Sequence, residues 1–284
     1  MSNTTDWPPL PPTLARFRTY GNQYAEGKDK AAVYDALRGR LLFKPGSTFN
    51  DPFEGKPHRV PAFDEPAKQR AVLEEYLLMI ARDSGMDSPN KWVETQFRGK
   101  TPAELTAAMI EAAGKADNDQ IHLLCLMHPN AISTSLPWSH YADAHCGVCI
   151  EFDTSIPPVG FALPITYTTE YPTLKVPRIV EPTNAGMQKA FLTKAIDWHY
   201  EQEHRVLRLL IPDAGISAHL MVEWDGQVAL ARADIAKTLT LGVKMPQPLR
   251  KELVEWTRTH APHVQVFQAA LHPSRYEVTR TRIS

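Results

Sequence analysis

The chain has 284 residues and a mass of 31.9 kDa, enough for one large domain or two modest ones. With 43% hydrophobic and 22% charged residues, its composition is that of a globular protein and excludes a chain disordered throughout. Lys plus Arg total 31 against 32 for Asp plus Glu, which leaves no net field for broad contact with nucleic acid or an anionic membrane.

No run approaches the roughly 18 apolar residues of a membrane span. The opening MSNTTDWPPLPP has no charged-then-apolar signal pattern. Three cysteines make no disulfide framework and fit a reducing compartment. The expectation is a cytoplasmic protein with no membrane partner. Residues 1–12, with Pro8, Pro9, Pro11 and Pro12, read as a mobile proline-rich arm. Residues 13–284 read as a single α+β domain, because no linker divides them.

Phe17, Thr19 and Tyr20 suggest a first strand, Lys30 to Leu37 a helix stopped by Gly39, and Leu41 to Phe43 a second strand. Val72, Leu73, Tyr76, Leu77 and Ile80 recur at helical spacing over residues 67–83. Thr101, Pro102 and Glu104 form a capping box that opens a helix expected to end near Gly114. Ile121 to Met127 has almost no polar face and reads as a buried central strand. A short helix is expected around Pro137 with Ser135 as its N-cap, then strands at Val148 to Phe152 and Leu163 to Thr168. Met187, Phe191, Ala195 and Trp198 predict a helix over 185–200, followed by a strand from His204 to Ile211. Thr238 to Val243, Pro248 to Thr259 and Val264 to Leu271 read as strand, helix and strand, and Tyr276 to Ile283 as a last strand. Long helices among scattered strands imply a mixed, possibly split, central sheet with flanking helices.

Three segments could carry chemistry. In Phe49-Asn50-Asp51-Pro52-Phe53-Glu54 a turn tetrad sits between aromatic anchors. It serves either as a structural turn or as a pocket wall where Asn50, Asp51 and Glu54 meet a polar ligand. In the segment from Pro137 to His145, the residues His140, Asp143 and His145 are of metal-ligand type, yet no fourth ligand is identifiable. Cys146 and Cys149 fall on opposite faces of a strand, so no metal is expected. In Trp198-His-Tyr-Glu201-Gln-Glu203-His-Arg205, alternation would point Glu201 and Glu203 to one side, where like charge would raise one pKa for acid and base work. The bland alternative is an exposed charged edge neutralised by Arg205 or Lys194. The signatures GxGxxG, P-loop, GxSxG and HExxH are absent from the sequence.

The motifs Phe49-Asn-Asp-Pro-Phe-Glu54, Trp138-Ser-His-Tyr-Ala-Asp143, His145-Cys-Gly-Val-Cys-Ile-Glu-Phe-Asp153 and Trp198-His-Tyr-Glu-Gln-Glu-His-Arg205 together resemble a bacterial domain family of unknown function, from about residue 15 to 283. Where that family has Cys-Phe-Ser after the central strand, this chain has Cys125-Leu126-Met127. A more distant resemblance is to ADP-ribosyltransferases that carry an Arg on the first strand, a Ser-Thr-Ser run and a Glu-x-Glu. Arg18, Ser133-Thr134-Ser135 and Glu201-Gln202-Glu203 occur in that order. The resemblance implies a split mixed sheet that uses NAD as substrate, with Glu203 as the catalytic carboxylate and Glu201 orienting an acceptor of unassigned class: protein, nucleic acid or small molecule. Arg18, Ser133, Ser135 and Asn50 would contact the cofactor, and Trp138 and Tyr141 would line its cleft. It implies transfer or hydrolysis of ADP-ribose, as in a defence enzyme or toxin. A different class of reading is a non-catalytic ligand sensor or partner-binding module of a bacterial defence or stress system. A third is a metal-dependent hydrolase or nuclease using His140, Asp143 and His145.

Overall fold

A computed structural model of the chain describes residues 8–22, 26–177, 190–209 and 222–283. In chain order its strands are β1 (Thr13–Arg18), β2 (Arg40–Leu42), β3 (Lys44–Pro45), β4 (His58–Pro61), β5 (Ile121–Met127), β6 (Val148–Asp153), β7 (Leu163–Pro164) and β8 (Thr166–Thr168). They continue as β9 (Thr173–Val176), β10 (Thr193–Ala195), β11 (Glu203–Leu209), β12 (Glu223–Asp225), β13 (Val228–Leu230), β14 (Ala236–Leu241), β15 (Gln265–Leu271) and β16 (Val278–Arg282). The α-helices used below are α1 (Lys28–Leu37), α2 (Pro66–Asp83), α3 (Pro89–Phe97), α4 (Pro102–Gln120), α5 (Ser135–Tyr141) and α6 (Gln247–His260). The architecture is α+β with a large mixed sheet. Among the described residues no helix is long and apolar enough to cross a membrane.

The chain divides into two compact units, one of residues 1–44, 122–165 and 196–284, the other of residues 45–121 and 166–195. In the first, the sheet runs β16-β15-β14-β6-β1-β5-β11-β7. β14 and β15 are parallel and joined through α6, as the strand, helix, strand pattern predicts, whereas β1 is antiparallel to both β5 and β6. Side chains alternate along each strand, so the sheet buries two different faces. Leu14, Leu124, Leu126, Val148, Ile150, Phe152 and Val206 join Val33, Ala36 and Leu37 of α1 in one core cluster. Ala15, Phe17 and Cys149 join Trp138 and Ala142 in the other, with Met127 packed against it.

The second unit holds α2, α3 and α4 with the parallel pairs β4/β9 and β8/β10. The capping box is formed as predicted: the Glu104 carboxylate accepts from Thr101 N–H at 2.7 Å, and Thr101 Oγ1 accepts from Glu104 N–H at 3.3 Å. The helix does not end at Gly114 but continues to Gln120, because a glycine weakens a helix interior without forbidding it.

Other expectations shift. Residues 185–189 lie outside the described residues; of the rest of the expected 185–200 helix, Ala190 and Phe191 are helical, and the chain then turns into β10 and a 3-10 turn, Ile196–Glu201. The strand expected over 163–168 is split at Ile165, whose N–H donates to the Glu203 carbonyl at 3.0 Å. Residues 1–7 of the proline-rich arm lie outside the described residues. Its described end is pinned: the carbonyls of Pro11 and Pro12 accept from Thr154 Oγ1 at 2.6 Å and Thr154 N–H at 3.1 Å, and Leu10 packs on the core.

Candidate functional site

Glu201 closes the 3-10 turn, Gln202 is left-handed at φ 46°, and Glu203 opens β11. The alternation assumed from sequence therefore fails at this pair. Both carboxylates are buried, at 1% and 3% exposure, and each has its own donor. Tyr141 Oη donates to Glu201. Arg205, fully buried, clasps Glu203 through Nε to Oε1 at 2.7 Å and Nη2 to Oε2 at 3.2 Å. The solvated edge envisaged for Arg205 is a buried bidentate pair, held by a charge-assisted fork.

The segment between β5 and β6 meets this corner. His128 N–H donates to the Gln202 carbonyl at 3.0 Å, so the start of β11 adjoins the end of β5. Ser133 Oγ donates to the Asn130 carbonyl at 2.8 Å. Thr134, not Ser135, is the N-cap residue of α5, and Ser135 is its first helical residue, 3.3 Å from His145 Nε2. Trp138 lines no cleft. It is fully buried, its Nε1 donates to the Ile132 carbonyl at 2.8 Å, and its ring meets Phe17 edge-on at 5.1 Å.

The metal reading finds no support in these positions. Asp143 accepts from Asn22 Nδ2 at 3.2 Å, His145 faces Ser135 and Ser139, and the His140 ring lies 6.4 Å from Trp198 and 6.2 Å from Tyr200. Among the described residues no group of three or more His, Cys, Asp or Glu could hold a metal ion.

Arg18 stands elsewhere. Arg16 pairs with Ile150 and Arg18 with Val148 across β1 and β6, so both project from the face that carries Leu14. Val206 packs into the same cluster, and alternation turns Glu203 and Arg205 to the opposite face. Arg18 and Glu203 do not converge.

On its own face Arg18 lines a cavity of about 230 Å³ with Arg16, Lys28, Asp35, Arg40 and the apolar wall of α1 and β2. Arg40 is neutralised by Asp35 at 3.4 Å and Asp225 at 2.8 Å, and Lys28 lies 3.4 Å from Glu26. Arg16 and Arg18 have no carboxylate partner among the described residues. Among the described residues the Arg16 side chain donates to the Leu42 carbonyl, from Nη1 at 3.4 Å, and Arg18 Nε is buried without an acceptor. Burial and the neighbouring Arg18 charge push the Arg16 pKa well down, and burial lowers that of Arg18. Lys44 is lowered by burial and then by Arg18 and Arg16. Arginine stays protonated in proteins, so burial here disfavours charges that the two side chains keep.

No family model, curated protein or solved structure matches the chain. The site is therefore argued from its own chemistry. The sequence reading missed Arg16, because the first strand was expected at Phe17, Thr19 and Tyr20, whereas β1 runs over Thr13–Arg18 and carries Arg16 and Arg18 on one face. It placed Asn50 at a cofactor; Asn50 is an exposed residue of the second unit and does not line the Arg16/Arg18 cavity.

Proposed function

We propose that the first unit binds a phosphorylated small molecule of the nucleotide class, with NAD the first to be tested, in the Arg16/Arg18 cavity, and that it acts as a ligand-sensing module. One observation carries the reading: two arginines share a cavity wall, have no carboxylate partner among the described residues, and leave a buried Nε without an acceptor. A phosphate satisfies planar guanidinium donors and relieves their mutual repulsion at once. Among the described residues the one carboxylate lining the cavity, Asp35, lies 3.4 Å from Arg40. Such a lining suits holding an anion. Calorimetric titration of the full chain with NAD, ADP-ribose and inorganic pyrophosphate tests it. Saturable binding that Arg18→Gln weakens at least tenfold is expected, with no nicotinamide released; absence of binding by all three overturns it.

A second reading, NAD cleavage of the ADP-ribosyltransferase kind, draws on the corner where Tyr141, Glu201 and Glu203 meet the segment carrying Ser133 and Ser135. It requires a cation other than Arg18 for the pyrophosphate. Chromatographic detection of nicotinamide from NAD, released by the wild type and not by Glu201→Gln, would favour it.

A further inference from the structure

The Phe49 to Glu54 motif belongs to the second unit and is absorbed by neither reading above. Its turn is built by Asp51: the Oδ1 atom accepts from Phe53 N–H at 2.9 Å and the backbone carbonyl accepts from Glu54 N–H at 3.1 Å. This is an Asx turn, and it leaves Phe53 62% exposed. The ring of Phe53 meets Tyr171 edge-on at 5.5 Å, and Tyr171 is itself 44% exposed and tied through its hydroxyl to the Lys56 carbonyl. The two rings stand at the rim of a cavity of about 260 Å³ whose walls include Asp51, Glu54, Glu170, Pro172, Ala190 and Lys194.

Two features need an explanation that the fold does not supply. Asp51 is 5% exposed, yet among the described residues its carboxylate accepts one hydrogen bond, the turn bond on Oδ1, and no cation forms an ion pair with it. A buried carboxylate without a counter-ion is costly. Beside it, two large aromatic rings that would be expected to bury themselves remain open to solvent at the same cavity. Aromatic faces next to a carboxylate form the setting in which a desolvated organic cation is held: the ring quadrupole attracts the charge and the carboxylate neutralises it. A divalent metal ion would demand several converging oxygen ligands, and no such group exists among the described residues.

We propose that this cavity is a binding site for an alkylammonium group, with Asp51 as counter-ion and Phe53 and Tyr171 as the aromatic wall. The proposal is independent of the anion site in the first unit. The probe is n-butylammonium, titrated into the full chain and followed by calorimetry or by NMR line broadening of the probe, with n-pentanol as the neutral analogue of similar size. Asp51→Asn keeps an Oδ1 acceptor for Phe53 N–H and removes only the charge, so the turn survives. Expected are saturable binding to the wild type, at least tenfold weaker binding to Asp51→Asn at an unchanged melting temperature, and about two- to fivefold weaker binding to Phe53→Leu. The proposal is overturned if the wild type does not bind the probe, if Asp51→Asn binds equally well, or if pentanol competes as effectively as the amine. Magnesium binding that depends on Asp51, in the absence of amine binding, would also overturn it and reassign the cavity to a metal.

Discussion

Arg18 and Glu203 occupy opposite faces of one sheet: Arg18 shares the face of Leu14 and Val206, and Glu203 the face of Ala15 and Phe17. A single ligand in the Arg16/Arg18 cavity would therefore be held without help from Glu203. The two residues should separate in mutagenesis. Arg18→Gln removes a charge-assisted contact worth about 1.5–3 kcal/mol. It should weaken phosphate-ligand binding by roughly ten- to a hundredfold while leaving thermal stability unchanged or slightly raised, because a buried cation is replaced by a neutral side chain. Equal loss of ligand affinity on mutating Glu203 in the folded protein would contradict this separation.

Glu203 itself is expected to report on stability. Breaking a buried ion pair by removing one partner costs about 3–5 kcal/mol, and the two bonds lost here, from Arg205 Nε and Nη2 to Glu203, belong to an arginine side chain with no exposed surface. Glu203→Gln should lower the urea midpoint sharply. The double variant Glu203→Gln with Arg205→Met should recover much of the loss, since it removes both charges. A midpoint unchanged in the single variant would mean that Arg205 finds another carboxylate.

How far the fold could be read depended on whether its determinants were local. The Thr101 capping box and the β14-α6-β15 unit are encoded by neighbouring residues, and both form as expected. The expected helix over 185–200, read from Met187, Phe191, Ala195 and Trp198, holds at Phe191 but not beyond it, because Ala195 ends β10 and Trp198 falls in a 3-10 turn, with Gln202 left-handed immediately after. The candidate site was half legible. Arg18 was singled out, but its cavity is completed by α1, by β2 and by Val228, elements that no local pattern joins. Trp138 was assigned to a cleft because an aromatic beside Ser and His reads alike in a core and at a surface. Only the Phe17 contact and the bond to Ile132 decide it.

Trp138 accordingly predicts a structural effect. Truncating a large buried aromatic costs about 3–5 kcal/mol, and here the lost indole also strands the Ile132 carbonyl. Trp138→Ala should lower the melting temperature strongly, and Trp138→Phe less so. Neither should alter ligand affinity measured well below the transition. A selective loss of affinity with stability intact would return Trp138 to a binding role.

Gly147 carries a separate constraint. A β-carbon there would lie 2.2 Å from the Arg18 carbonyl oxygen and 3.0 Å from the Ala142 backbone, so even alanine requires backbone displacement where α5 hands over to β6. Gly147→Ala is expected to destabilise by about 1–3 kcal/mol, the range for overpacking. A chemical melt indistinguishable from wild type would show that this junction gives way freely.

The histidines set the response to mild acid. His122 is lowered from its ordinary value of 6.5 by burial and Arg208, His145 by burial and Lys244, and His204 chiefly by burial. A group whose folded pKa lies below its unfolded value binds more protons when unfolded. Its contribution is therefore fully present above about pH 6.5 and is lost as pH falls through that value toward the folded pKa. Asp153 is held below its ordinary 3.8 chiefly by the Ser155 hydroxyl, and Glu252 below its ordinary 4.5 chiefly by Lys30. Their stabilisation is lost only at lower pH still. Between pH 7.5 and 5.5 the urea midpoint should fall, and His145→Gln should flatten that slope, since the amide cannot titrate. An unchanged slope in the variant would remove His145 from the account and leave His122 and His204 as the groups that charge on unfolding.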